Sequence, residues 1–318
     1  MFFKLMFTTF HGIMEVFLIG IVVYLIMTRL SEGSSYMDFL SKLVVRVTLP
    51  CLVFSNLVKN FETGEVRYWW AFPLLAVTIN IVGTLIAGGY VLLDRKVEHR
   101  GEFMALSAFQ NGTFLPLAFA HVLFGPEKLP VFLNVFFLYC LLQIPAFFTI
   151  AVWLLNMKTD KKQRINSLLN PPNIATVIGL LVVVIGYAQH VPDIILRPIT
   201  AIGSITPILA TFFVGGIIVA NLLKARPSDW GEPIKSTFIK CLVCPAIGSF
   251  VVYILRPPEF IALFIIMQSA MPSAILIALV MPQNKTKQQL VAAGILLSSL
   301  ACIVTLPLFM GIYGALYW

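Results

Sequence analysis

The sequence predicts an all-α integral membrane protein of ten transmembrane helices. Three observations carry that prediction. Only 11% of the residues are charged and 59% are hydrophobic, whereas a soluble domain carries about 25% charged residues and needs them to cover its surface. Apolar runs of about 20 residues, the length that crosses a bilayer, recur from one end of the chain to the other. The polar breaks between these runs are short, so the chain has no room for a separate soluble domain.

The ten runs cover residues 7–28, 39–58, 69–93, 102–123, 129–155, 170–188, 198–222, 234–255, 259–282 and 290–316. The first follows a single Lys4 and no small-residue cleavage site closes it, so it reads as a retained helix rather than a signal peptide. The second holds Arg46 just inside its end, placed to snorkel to the interface. The fifth contains an aromatic-rich stretch, Phe132–Phe148, which reads as packing and lipid contact. Cys51, Cys140, Cys241, Cys244 and Cys302 all lie inside apolar runs. The C-x-x-C spacing of Cys241 and Cys244 lacks a second Cys pair or a His, so it reads as packing rather than metal or redox chemistry. No cofactor or metal site is expected.

The formal net charge of +8 would suggest nucleic-acid binding in a soluble protein. Here the basic residues sit in short loops, and nucleic acid is not an expected partner; the lipid bilayer is. Of the 22 Lys and Arg residues, 16 lie in or beside the odd-numbered loops and 6 in the N-terminus and even-numbered loops. The positive-inside rule then puts the odd loops in the cytoplasm and both termini outside, in a plasma (inner) membrane. That arrangement requires an even number of spans, as counted.

A proline in apolar surroundings has a missing hydrogen bond that lipid cannot replace, and four such prolines fall into two spaced pairs. They are Pro50 in Val47-Thr48-Leu49-Pro50, Pro116 in Leu115-Pro116-Leu117-Ala118, Pro207 in Ile205-Thr206-Pro207 and Pro272 in Met271-Pro272-Ser273-Ala274. Pro50 and Pro207 stand 157 residues apart, and Pro116 and Pro272 stand 156 apart, about half the chain. The spacing predicts two homologous five-helix halves, residues 1–157 and 170–318, joined by a cytoplasmic loop at 158–169. Five is odd, so the halves are inverted. Paired broken helices in inverted repeats point to the midplane site of a secondary transporter. Chance recurrence of proline is the competing explanation.

The fourth run breaks at Gln110, Asn111, Gly112 and Thr113 before Pro116, and the ninth at Gln268 and Ser269 before Pro272 and Ser273. Polar residues at this depth are costly unless they face a cavity or one another. Packing between helices is the plainer reading. A half-helix expected beyond each proline would present free N–H groups and a positive dipole end, suited to an anion. Candidate substrate-binding residues are therefore Asn111, Gly112, Thr113, Pro116, Gln268, Pro272 and Ser273, with Thr48, Asn56 and Thr206 as second contributors. Glu15 is a candidate proton site, set against a solvated or Lys-paired role. His11 and His121 read as interfacial.

Several stretches together resemble the auxin efflux carrier family. They are Leu49-Pro50 with Ser55-Asn56-Leu57, Asn111 through Ala118, Phe124-Gly125 with Glu127 and Leu129, Asn170-Pro171-Pro172 with Ile174, Pro207 with Ala210, Phe213 and Gly215-Gly216, Met271 through Ala274, and Thr305-Leu306-Pro307-Leu308. They run in family order along the whole chain. The resemblance implies that helices 4 and 9 cross where they break, within a transport domain of helices 3–5 and 8–10. Helices 1, 2, 6 and 7 would form a scaffold, through which two copies would pair as a homodimer, and the motion would be elevator-like. It matches Asn111 to the polar residue before the crossover and Pro116 and Pro272 to the crossover prolines. Related bile-acid symporters place sodium ligands, including an acid, near these breaks; this chain has no acid there. The long cytoplasmic loop of the plant exporters is also missing.

The expected function is a carrier of small organic anions, carboxylates or auxin-like acids. The alternatives are a sodium- or proton-coupled symporter of the bile-acid type and a membrane-embedded enzyme. The last would need paired catalytic groups at depth, and it is not the expectation.

Overall fold

The computed structural model describes residues 1–30, 39–61, 68–155, 169–225, 230–280 and 284–317. Most of the 158–169 connecting loop lies outside them. The regular structure among the described residues is helical, apart from a single isolated β-bridge.

Helix α1 is Phe2–Leu30 and α2 is Phe39–Asn60; α3 is Ala71–Leu93. Two half-helices follow, α4 (Arg100–Ala108) and α5 (Phe114–Leu123), then α6 (Lys128–Leu154) and α7 (Pro171–Val184). Helices α8 (Asp193–Ser204) and α9 (Thr206–Lys224) meet at a kink before Pro207. Then come α10 (Gly231–Leu255), the half-helices α11 (Glu259–Ala270) and α12 (Leu276–Val280), and the long α13 (Lys285–Tyr317). Seven segments are long and apolar enough to cross a membrane: α1, α2, α3, α6, α8 with α9, α10 and α13. Helices α5, α7 and α11 are shorter and apolar.

Proline shapes these helices locally. Pro50 and Pro245 cannot donate to the preceding turn. In both helices the turn before the proline widens into a π-helix, Val44–Thr48 and Ile239–Val243, with Leu49 N–H donating to the Val44 carbonyl and Cys244 N–H to that of Ile239. A wide turn absorbs the lost bond without breaking the helix.

The core gathers round α6, whose apolar window is 71% buried. Phe132, Phe136 and Tyr139 of α6 pack with Phe264 of α11, which also meets Phe72 of α3 edge-on at 5.1 Å. Helix α3 instead turns Leu74, Leu85, Leu92 and Leu93 outward, as a lipid-facing surface would.

Ion pairs sort the loops into two ends. Asp94 pairs with Lys235 at 2.7 Å and Glu102 with Lys287 at 2.6 Å, and the His99 ring lies 3.4 Å from Glu232, which also accepts the Glu98 N–H. These tie the third, seventh and ninth loops together. At the other end Arg256 donates to the Leu316 carbonyl, Tyr317 to the Pro257 carbonyl, and Lys128 lies 4.0 Å from Glu259. Two charged residues lie deeper than the sequence suggests. Glu102, placed by the sequence at a polar break, is 3% exposed, and Lys240, counted with the basic loop flanks, is 1% exposed.

Candidate functional site

The two broken segments cross each other. At the crossing Asn111 N–H donates to the Pro272 carbonyl at 2.7 Å and Ala274 N–H to the Phe109 carbonyl at 2.9 Å, a two-bond antiparallel bridge between Gln110 and Ser273. Each broken backbone thus satisfies the other where lipid could not. Side chains reinforce the crossing. Gln268 Nε2 donates to the Gly112 carbonyl at 3.2 Å, Ser273 Oγ to the Leu106 carbonyl at 2.7 Å, and Gln110 Nε2 to the Tyr139 hydroxyl at 2.8 Å. Ser298 Oγ of α13 accepts from Ser273 N–H at 3.1 Å.

The prolines do not mark equivalent points. Pro272 lies in the extended segment itself, and its carbonyl takes part in the bridge. Pro116 is the third residue of α5, which begins at Phe114. There its missing N–H costs nothing, because the first N–H groups of a helix have no partner within it. The fourth run therefore breaks at its Gln110–Thr113 cluster, not at its proline.

A cavity of about 410 Å³ adjoins the crossing, within the range of small-ligand sites. Gln110, Asn111, Gly112 and Thr113 of one break form part of its wall, and Ala274 and Ile275 of the other. Helix α6 adds Gln143 and Phe147, α2 adds Ser41, Val45 and Leu49, and Asn170 and Phe213 close it. Among the described residues its lining holds no charged side chain. The Asn111 amide is 7% exposed, lines the cavity, and makes no side-chain hydrogen bond among the described residues. Gln143 is held from behind by Asn80, whose Nδ2 donates to Gln143 Oε1 at 3.2 Å, leaving its own amide nitrogen toward the cavity side. A Cβ on Gly112 would stand 3.4 Å from that nitrogen. The N-terminus of α5 opens on the same space, so an anion there would meet free N–H groups and a positive dipole end.

The structure thus brings Asn111, Gly112 and Thr113 to the cavity, with Gln268 and Ser273 behind them in the crossing. It does not bring Thr48, Asn56 or Thr206 there. Asn56 is committed to Asn134 at 2.8 Å and to the Pro130 carbonyl at 3.2 Å. Thr206 donates to the Gly203 carbonyl at the α8–α9 kink. Thr48 is buried and its hydroxyl has no partner among the described residues. Glu15 lies on the exposed face of α1 and is not in the cavity lining, and His11 and His121 are exposed. The sequence reading missed Gln143 and Asn80. The available signals were the amides inside apolar runs, Asn134 and Gln143 within Phe132–Phe148 and Asn80 in the third run, and most of the Phe132–Phe148 stretch does pack in the core.

A family model described as a membrane transport protein matches residues 8–165 and 155–310. Protein PIN-LIKES 2 of Arabidopsis thaliana is 35% identical over 80 residues, which make up 25% of this chain and 18% of that protein.

Proposed function

Given that this chain belongs to the membrane transport protein family, of the auxin efflux carrier type, and is a multi-pass membrane transporter, we propose that its cargo is a small organic anion, a carboxylate or auxin-like acid. The observation that carries the reading is the cavity at the crossing. Its polar wall is neutral amide and helix terminus, with the unpaired amide of Asn111 at its edge. Such a wall holds a carboxylate by hydrogen bonds and dipole without a fixed cation.

The cavity walls also suggest the motion. In a ten-span reading with two inverted repeats, α3–α6 and α10–α13 form a transport domain and α1, α2 and α7–α9 a scaffold. Gln143, Phe147 and both breaks come from the first body, and Leu49, Asn170 and Phe213 from the second. A site between two bodies is carried across when one slides on the other, which is elevator-type alternating access. Pairing of two copies through the scaffold, a plasma-membrane location and external termini belong to the same reading.

The test is uptake by liposomes holding the purified chain, with a panel of labelled acids that includes indole-3-acetate and malonate. Uptake of at least one carboxylate is expected, unchanged when potassium replaces sodium on both sides. Failure to bind or transport any acid would sink the reading. A strict sodium requirement would favour the symporter alternative. The observation behind that alternative is that Gln110 Oε1 and Gln268 Oε1 are buried without donors among the described residues, and such oxygens suit a hard cation.

A further inference from the structure

Lys240 is fully buried, at 1% exposure, in the π-turn of α10. Among the described residues it has no carboxylate partner and no hydrogen bond. The titratable side chains around it are the thiols of Cys241, Cys244 and Cys302. A buried ammonium without a counter-charge is among the costliest groups a fold can hold. Lys235, one turn earlier, has Asp94; among the described residues Lys240 has no such acid.

Lys240 shares a small cavity with the C-terminal turns of two helices. It lines a cavity of about 120 Å³ with Ala108, the last residue of α4, and Ser269, in the last turn of α11. Glycines bring the neighbouring helices close at both points. A Cβ on Gly83 would stand 2.8 Å from the Ala108 carbonyl oxygen, and one on Gly248 2.7 Å from Ser269 Oγ, and both glycines line this cavity. Most carbonyls near these ends have donors: Leu106 takes Ser273 Oγ, Ser107 takes Cys244 Sγ and Gln268 takes Met271 N–H. Those of Ala108, Ser269 and Ala270 receive none among the described residues. Each helix C-terminus carries about half a negative charge, which favours a nearby cation. Two such ends meet at the crossing.

We propose that Lys240 is the built-in cation of the crossover, a positioning residue whose ammonium offsets the carbonyl ends of α4 and α11 and so holds the two broken helices in their crossed arrangement. A side chain then supplies the positive charge that a bound metal ion would otherwise bring to these ends. The inference does not depend on the cargo being an anion.

The experiment is thermal unfolding of the purified full chain in detergent. Lys240→Met keeps the bulk and removes the charge, and it should lower the apparent Tm by several degrees; Lys240→Arg should lower it less. Lys240→Ala should regain part of its loss with n-propylammonium, which can place an ammonium in the space left, and not with n-propanol. Wild type should respond to neither. A Lys240→Met protein as stable as wild type or more so would overturn the proposal, because the charge would then be a liability. Equal rescue by propanol would overturn it too, leaving only a packing role. So would a wild-type Tm that rises in chloride relative to gluconate, since a dissolved anion would then be the counter-charge. If Lys240→Ala does not fold, the Met and Arg comparison decides.

Discussion

The side-chain amide of Gln268 donates to the backbone carbonyl of Gly112 at 3.2 Å, joining the two broken helices across 156 residues of sequence. Glycine leaves room for this bond at the acceptor. A Cβ there would stand 2.5 Å from Gln268 Oε1 and 3.3 Å from Gln110 Cγ. Gly112→Ala should therefore displace the Gln268 amide and leave a buried carbonyl unpaired, at a cost of roughly 1–3 kcal/mol, with lowered Tm and transport. Gln268→Ala loses the same bond and removes the obstruction. The double variant should then be little worse than Gln268→Ala alone, because the two changes remove one interaction. Fully additive losses in Tm would show that the two residues act separately.

Asn111 and Gln143 make a contrasting pair. The Asn111 amide has no side-chain hydrogen bond among the described residues, so Asn111→Ala should leave Tm close to wild type. A hydrogen bond to a charged group contributes about 1.5–3 kcal/mol, so carboxylate affinity should fall about ten- to a hundredfold. Gln143 is bonded to Asn80, so Gln143→Ala should lower both affinity and Tm by leaving a buried amide alone. Unchanged affinity of a confirmed substrate in both variants would move the site elsewhere.

Helix existence was legible because a bilayer demands long apolar runs, and seven of the described segments are long and apolar enough to cross one. The two breaks were legible through proline and polar residues together, yet proline alone mislocated one. Pro116 sits where a helix tolerates it, while Gln110–Thr113 bends the chain. Gln143, Asn80, Glu102 and Lys240 stayed hidden for a common reason. In a membrane helix the lipid face and the interior face are both apolar, so periodicity does not tell which polar side chain turns inward. Asn56 erred the other way: it is polar, buried and beside a family-like Leu-Pro, and its partner is Asn134. Convergence of polar groups is set by helix crossing, which the linear order does not carry.

Asp94 gives a pH dependence. It follows α3, and the Lys235 ammonium, with Lys96 N–H, holds its carboxyl below the usual carboxylate value. A carboxylate depressed on folding stabilises the protein fully above its unfolded value, and that contribution is lost as pH falls through the folded value. Wild-type Tm should therefore fall more steeply than that of Asp94→Asn as pH drops below the ordinary value of 3.8, and the two should keep a constant gap near neutrality. Parallel curves through the acid range would show that the pair does not couple folding to protonation.

The ion pairs also bear on orientation. Asp94–Lys235, His99–Glu232 and Glu102–Lys287 gather three loops at one end, and these are loops rich in Lys and Arg. Arg256, Lys128 and the contact of Tyr317 with Pro257 mark the other end, which also holds the C-terminal turn of α13. Basic loops remain on the cytoplasmic side, so the first end should face inward and the termini outward. Removing the buried Lys240 from the flank residues leaves the asymmetry in place. Cysteines introduced singly as Asp160→Cys and Glu127→Cys would test this, with the half-buried Cys51 and Cys140 replaced by alanine to lower background. Position 160 lies outside the described residues, in the basic connecting loop; Glu127 is exposed in the loop before α6. In intact cells a membrane-impermeant maleimide should label position 127 and spare 160, while a permeant maleimide should label both. The reverse pattern would invert the protein in the membrane. It would also place the Asp94–Lys235 pair outside the cell, where its acid sensitivity would follow external rather than internal pH.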